Sequence, residues 1–427
     1  MVDKNLFPYN LAVVAIFKNE ASYLREWLDY HLLAGVEHFY LYNNDSADDY
    51  AEVLTPYVEA NLVTLIDWSG KVMQMPAYND ALERFRFFCR YMAFIDLDEF
   101  IFPKTGQSIV EIVDKILSRD ESAAALGINW QIFGSNGHDT ADYSRGVLER
   151  FTRRAEKNFS SMKREEIYSA KGESKFGNLL VKTIANPRET SHFYNPHFAV
   201  CFNGFQTVNE NGRPVEKFFN VPITADKIVV NHYYIKSREE FLTKFNRGRS
   251  DIDAGYHLNV FDRYDINDVF DDDILKYRAR RAESFSLEDD ATRFRRVEKV
   301  LIDTLTAQSP FDASAEFFAG KLETFLTCRK LAELLGTRIG SKSAEEYALV
   351  WIYQTLNTDG ACTYADLQLF VDELPEILSR PFPTTKKILR LTCDGLIPTF
   401  CEALKEKQQW EARTRLLDLR KFLNLLR

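Results

Sequence analysis

Leu11-Ala12-Val13-Val14-Ala15-Ile16-Phe17 is an unbroken apolar run of strand length. A strand apolar on both alternating faces belongs in the middle of a parallel sheet covered by helices on each side. Polar Lys18-Asn19-Glu20 follows, and then Leu24, Trp27, Leu28, His31 and Leu32 recur at helical spacing until Gly35. That is one face of a helix with a glycine stop. The alternation repeats. Val36 to Tyr42 predicts a strand, about Asp49 to Val58 a helix and Leu62 to Asp67 a strand; about Ala77 to Arg90 predicts a helix and Tyr91 to Ile95 a fourth strand. Strands alternating with helices predict a doubly wound α/β sheet.

Farther on, Ser108 caps a helix reaching about Ser118, and Ala123 to Trp130 reads as a strand opening into the loop Phe133-Gly134-Ser135-Asn136-Gly137-His138-Asp139. Tyr143 to Glu173 is charged and carries no clear period, and Lys182 to Asn211 reads as short strands and loops. Ile228 to His232 is a strand, followed by a helix capped by Ser237 with Glu240 three residues on. Beyond about Asp262 the chain reads as helices. The division expected is a sheet domain, 1–260, and a mostly α-helical C-terminal region, 261–427. Leu416, Leu419, Leu423 and Leu426 make an apolar stripe on the last helix; a docked terminal helix is the plain reading and membrane-surface contact the sharper one.

Composition narrows the classes. A formal net charge of −9 argues against a nucleic-acid binder, which would show a basic face. The six cysteines form no C-x-x-C pair, which excludes zinc-ribbon and dithiol redox motifs and fits a reducing compartment. Met1 to Asn10 lacks a basic segment followed by an apolar one, and no window approaches 18 uninterrupted apolar residues. A cytoplasmic protein is expected, at most peripheral to a membrane.

Candidate chemistry starts where the fourth strand stops. Asp96 and Asp98 lie one residue apart, with Glu99 next. Ligands of open α/β sheets bind beyond the carboxyl ends of strands, and residues two apart in an extended chain point the same way. Two such carboxylates repel, and a hard cation such as Mn²⁺ or Mg²⁺ relieves the repulsion. A solvated acidic turn would look the same. No G-x-G-x-x-G follows the first strand, so a dinucleotide cradle is not expected. Lys18, Asn19 and Glu20, with Asn43, Asn44 and Asp45 after the second strand, can read a nucleobase or ribose, although turns use the same residue types. His138 in its small-residue loop is a candidate base. His232 at a strand end can add a nitrogen ligand to a metal, and Lys236 and Arg247 can neutralise phosphate oxygens. Arg153, Arg154, Lys157, Lys163 and Arg164 make a locally basic patch, read as solvated surface.

These residues in order resemble a known family. Phe17-Lys18-Asn19-Glu20, Glu26-Trp27 with Tyr30-His31, Gly35 to Phe39, Tyr42-Asn43-Asn44-Asp45-Ser46 and Asp96-Leu97-Asp98-Glu99-Phe100 look like glycosyltransferase family 92 and its bacterial family-2-like relatives. Trp130 with Phe133-Gly134-Ser135 and Gly137-His138, and Asn231-His232-Tyr233 with Lys236-Ser237, extend the likeness, which runs from about residue 11 to 250. The resemblance implies a GT-A-like mixed sheet flanked by helices and a metal-dependent, inverting transfer from a nucleotide-sugar, UDP-linked, to a glycan or lipid-linked glycan in surface polysaccharide synthesis. It implies Mn²⁺ or Mg²⁺ held by Asp96 and Asp98 with His232, and a nucleoside facing Lys18 to Glu20 and Asn43 to Asp45. Lys236 or Arg247 would stabilise the leaving diphosphate. The base candidates are His138, Glu149 and Glu210, and the sequence does not choose. Two rivals stand beside it: a sugar- or nucleotide-binding protein on a degenerate transferase fold, and a phosphatase of the haloacid-dehalogenase kind with Asp96 as nucleophile.

Overall fold

The computed structural model describes residues 7–86, 88–160, 176–215, 217–251, 259–288, 292, 293 and 296. In chain order the elements begin β1 (Tyr9–Phe17), α1 (Ala21–Leu33), β2 (His38–Asn43), α2 (Tyr50–Glu59), β3 (Val63–Asp67), α3 (Gln74–Phe85) and β4 (Cys89–Phe94). Then come β5 (Glu99–Pro103), α4 (Ile109–Leu117), β6 (Ala123–Ile132), α5 (Val147–Arg150), β7 (Arg153–Arg154), β8 (Val181–Ala185), β9 (Thr190–Asn195), β10 (Phe198–Cys201) and β11 (Gln206–Val208). β12 (Ile228–His232), α6 (Arg238–Arg247), α7 (Asn259–Tyr264), β13 (Val269–Phe270) and α8 (Asp273–Ser284) follow.

The chain divides into two compact units, one of residues 10–82 and 91–287, the other of 1–9, 83–90 and 288–427. The first carries most of the sheet, and in it α8 packs on α1: Arg278 pairs with Glu26, and Arg281 donates to the Leu33 carbonyl. In the second, the Tyr9 N–H donates to the Phe88 carbonyl and the Arg293 guanidinium lies over the Tyr9 ring. The helices expected beyond Arg296, with the leucine stripe Leu416 to Leu426, and Lys163 and Arg164, lie outside the described residues.

The main sheet has the order β3-β2-β1-β4-β8-β6-β12-β5, with β11 beside β6. β1, β2 and β3 are parallel, as the continuous apolar runs predict. Farther along, the sheet is mixed, as the resemblance implies, rather than doubly wound and parallel throughout. β8 runs antiparallel to both β4 and β6, and β5 runs antiparallel to β12. Neither insertion is visible locally. β5 follows the acidic turn directly, and β8 lies in the stretch where the sequence shows only short strands.

β5 ends the sheet order, and a bare edge is a pairing hazard. Here α1 covers it. Trp27 Nε1 donates to the Glu99 carbonyl at 2.8 Å, Tyr30 OH to the Ile101 carbonyl at 2.9 Å, and the Ile101 N–H to His31 Nε2 at 3.3 Å. His31 Nδ1 faces the Trp27 carbonyl at 2.8 Å, so Nδ1 carries the proton and the ring is neutral. Burial holds its pKa down at about 3. The helical stripe read from the sequence is thus both apolar packing and a set of polar tips for the strand edge. α4 is fixed by reciprocal hydrogen bonds between Ser108 and Glu111, a cap worth about 1 kcal/mol. Gly35 sits at φ +102, where a Cβ would lie 3.0 Å from the Ser108 Cβ, so the α1 stop requires glycine on both counts.

Candidate functional site

A cavity of about 490 Å³ opens at the carboxyl end of β1, over the Asp96–Asp98 turn. Ile16, Phe17, Lys18 and Glu20 form one wall, Gly70 to Val72 with Asn44 a second, and Trp130, Leu180, Pro196 and His197 a third. His232 and α6, through Lys244 and Arg247, close it from the other end of the sheet. Five cations line it (Lys18, Lys71, Lys244, Arg247, Arg249) against four carboxylates (Glu20, Asp96, Asp98, Asp251). The charge is close to balanced, with Lys244, Arg247 and Arg249 paired to Asp98, Glu20 and Asp251.

Asp96, Leu97 and Asp98 form a tight connection between β4 and β5, closed by the Glu99 N–H on the Asp96 carbonyl at 3.1 Å. The two aspartates face different partners. Asp96 Oδ2 accepts from Lys182 Nζ at 2.9 Å, and Oδ1 from Gln74 Nε2 at 2.6 Å and Tyr78 OH at 3.3 Å. These partners orient the carboxylate, which still faces the cavity. Asp98 is buried. Its Oδ1 lies 3.4 Å from His232 Nε2 and its Oδ2 2.5 Å from Lys244 Nζ. Burial pushes the Asp98 carboxyl up, but Lys244 and His232 outweigh it and hold the group well below the usual carboxylate range. Burial lowers His232, against the pull of Asp98. The His232 ring packs on Trp130 at 4.1 Å, and its Nδ1 is buried with no hydrogen-bond partner among the described residues.

Glu99, the third acid of the run, is structural. It is fully buried, and its Oε2 accepts the Asp96 N–H at 2.9 Å and lies 3.3 Å from Lys182 Nζ. Burial drives the Glu99 carboxyl up; for Lys182, burial is outweighed by Asp96 and Glu99, which hold the ammonium well above its ordinary value. Lys182 reaches this place through strand register. Thr183 pairs with Phe94, which sets Lys182 beside the residues after β4.

The predicted site residues divide. Asp96, Asp98, His232, Lys18, Glu20, Asn44 and Arg247 line the cavity. Arg247 donates to the Lys18 carbonyl at 2.6 Å and pairs with Glu20, so it fastens the end of β1 as well as facing the cavity. Asn19, Asn43 and Asp45 do not line it; they hold the loops. Asn19 Oδ1 accepts the Ala47 N–H, Asn43 Oδ1 the Ser46 N–H and Asp45 Oδ2 the Gly70 N–H. Lys236 is buried behind the cavity, its ammonium 4.4 Å above the Tyr23 ring, and burial lowers its pKa.

None of the three base candidates lines the cavity. His138 Nε2 faces the Arg150 carbonyl at 3.2 Å and its ring packs against Phe151. Glu149 is exposed and paired with Arg278 at 3.0 Å. Glu210 accepts the N–H groups of Asp226, Lys227 and Ile228 at the start of β12. A charged or imidazole side chain in a loop gives no signal of which end of the sheet the loop packs on, and these three pack elsewhere.

Lys182, Gln74, Lys244 and His197 reach the site without having been read from the sequence as site residues. Only Lys244 carried a local signal, standing three residues before Arg247 on one helix face. That helix is set by a buried cluster. Glu240 accepts from Ser237 and from Tyr23 OH and takes both terminal nitrogens of Arg150, at 2.8 and 2.9 Å. Burial pushes Glu240 up, yet Arg150 and Ser237 hold it down at about 2.

Carboxylate and imidazole are a donor set that suits Mn²⁺ or Mg²⁺. The Asp98–His232 contact, longer than a good N–H···O bond, leaves those two groups fit to share an ion. Asp96 is not so disposed, and among the described residues no three His, Cys, Asp or Glu side chains form a ligand cluster.

Comparison with known proteins gives the chain relatives. A model of glycosyltransferase family 92 matches residues 11–250. A family 92 protein of Ricinus communis is 26% identical over 246 residues, 56% of this chain and 38% of that one. A galactan beta-1,4-galactosyltransferase of Arabidopsis thaliana is 23% identical over 215 residues, 46% of this chain and 41% of that one. The chain thus spans about two fifths of the length of either relative. Among solved structures, S. aureus TarS 1-349 aligns with 81% of this chain and 91% of its own, at 14% identity and a TM-score of 0.30.

Proposed function

The chain belongs to glycosyltransferase family 92, and from that premise we propose that it transfers a sugar, with inversion and with a divalent cation, from a UDP-linked donor to a glycan or lipid-linked glycan. The observation that carries the reading is the convergence of Asp98, His232 and the cations of α6 on one cavity at the sheet edge. A leaving nucleoside diphosphate gathers negative charge as the sugar–phosphate bond breaks. Lys244 and Arg247 line the place where that charge would collect. Asp98 and His232 would hold a Mn²⁺ or Mg²⁺ ion, which when bound supplies Lewis-acid stabilisation of the same oxygens. Asp96 is oriented by Lys182, Gln74 and Tyr78 and would meet the donor as a hydrogen-bond acceptor.

Inversion needs a base near the acceptor hydroxyl. His197 is the cavity group best prepared for it. It lines the cavity, and its Nδ1 donates to the Val181 carbonyl at 3.0 Å, which fixes the ring and its tautomer. Trp130 stands between His197 and His232, with ring centroids 4.9 and 4.1 Å away, so the wall that would carry the base adjoins the proposed diphosphate site. A cytoplasmic setting in surface polysaccharide synthesis completes the proposal.

The test is a thermal-shift screen of UDP, GDP, CDP and their sugars, with and without Mn²⁺, on the wild type and Asp98→Ala. A ligand of the folded state raises the melting temperature by mass action. The expected result is a shift with one nucleotide that needs Mn²⁺ and disappears in Asp98→Ala. No shift with any nucleotide under any metal defeats the transferase reading of this cavity.

A further inference from the structure

Lys244 already pairs with one oxygen of the carboxylate that would hold a cation. Its ammonium is 2.5 Å from Asp98 Oδ2, 3.1 Å from the Tyr234 carbonyl and 4.1 Å above the Tyr234 ring. Two oxygens and a ring face hold it, and its side chain is only 12% exposed. α6 cannot easily swing it away, because the buried Arg150–Glu240 pair and the Ser237 cap fix the start of that helix. The other Asp98 oxygen faces His232. An ammonium and a divalent ion on one buried carboxylate repel each other strongly, since the low dielectric screens them poorly. The carboxylate can serve one or the other.

A diphosphate changes that balance. Its oxygens are better partners for an ammonium than a shared carboxylate, and lysine is a point charge on a flexible four-carbon stem. Lys244 lines the same cavity, one turn from Arg247. A small rotation of its side chain would carry the ammonium from Asp98 to a phosphate oxygen and free Oδ2. We propose that Lys244 withholds Asp98 from divalent cations until a nucleoside diphosphate draws its ammonium away, so that cation binding depends on the nucleotide. The inference rests on the cation-dependent reading given above and adds to it an order of binding and the residue that sets it.

The measurement is Mn²⁺ binding, read from the electron paramagnetic resonance signal of free Mn²⁺, on the full chain with and without UDP. Wild type is compared with Lys244→Gln, Lys244→Met, Lys244→Arg and Asp98→Asn, each checked for folding by circular dichroism. If Lys244 occupies Asp98 about nine-tenths of the time, the apparent Mn²⁺ affinity is reduced about tenfold. Wild type is therefore expected to bind Mn²⁺ about tenfold more tightly with UDP than without it. Lys244→Gln and Lys244→Met should bind Mn²⁺ without UDP about tenfold more tightly than wild type, and Lys244→Arg should stay weak. Tight binding by wild type without UDP overturns the proposal. So does a wild type that needs UDP and Asp98 while both neutral variants remain weak, an outcome that leaves the metal site standing. If neither wild type nor the neutral variants bind Mn²⁺ even with UDP, the cation-dependent reading fails and the proposal goes with it.

Discussion

Two loops at the same sheet edge use similar polar residues to opposite ends. After β2, Asn43, Asn44 and Asp45 bond to partners within about thirty residues of chain: Ser46, Tyr50, Asp67, Trp68 and Gly70. Those bonds are mostly amide to carbonyl or backbone, and they leave few groups over for a ligand. After β4, Asp96 and Asp98 meet Lys182, His232 and Lys244, which lie 86 to 146 positions away in sequence. Those contacts are charged, partly buried and gathered from three elements. Local satisfaction makes a stiff loop. Charges assembled over long sequence distances, at a cost in desolvation, mark the place where chemistry is expected.

The strongest break of that contrast is Lys182→Met. It leaves Glu99 buried without its cation, and stability should fall by about 3 kcal/mol, read as a lowered urea midpoint. The sign with pH is fixed. Wild-type Glu99 is already raised above the ordinary glutamate value and the variant's carboxyl is pushed up further, so the deficit grows as pH rises through the wild type's raised value and shrinks as pH falls below it. A deficit independent of pH would mean that Lys182 acts by packing alone.

Acid separates the site from the edge strand beneath it. His31 is buried neutral, with a pKa of about 3 in the fold against 6.5 when unfolded. Its contribution is complete above pH 6.5 and is lost as pH falls, by about 1.4 kcal/mol per unit down to the folded value. Asp98 stays ionised through that window. Denaturation curves of wild type and His31→Gln across pH 7 to 4 should differ in slope by about that amount.

The loop after β2 gives the opposite outcome. Asn43→Ala removes three hydrogen bonds that hold the turn and should cost about 1–2 kcal/mol, while nucleotide affinity stays within about twofold. A large loss of affinity without loss of stability would make Asn43 a reader of the nucleoside after all. The smallest effect is expected at the former base candidates. His138→Ala and Glu149→Gln should leave transfer within about twofold of wild type, because neither group lines the cavity. His197→Ala in the same assay should remove the acid limb of the pH–rate profile if His197 is the base.

What sequence alone determined is whatever depends on neighbours a few residues apart. The apolar runs at Leu11–Phe17 and Val36–Tyr42, the stripe Leu24 to Leu32, and the Ser108 and Ser237 caps all formed as their patterns predict, because strand and helix periods are local properties. The Asp96–Asp98 turn was legible as a candidate site for the same reason: two carboxylates at a strand end need something to answer their charge. Tertiary structure decided what answers it. Pairing β4 with β8 put Lys182 behind Asp96, pairing β12 with β5 brought His232 to Asp98, and the buried Arg150–Glu240 pair aimed Lys244 at the same carboxylate. The same packing kept His138, Glu149 and Glu210 out of the cavity. Strand register and helix docking join residues far apart in the chain, and they are selected by the packing of the whole sheet. No local pattern carries them.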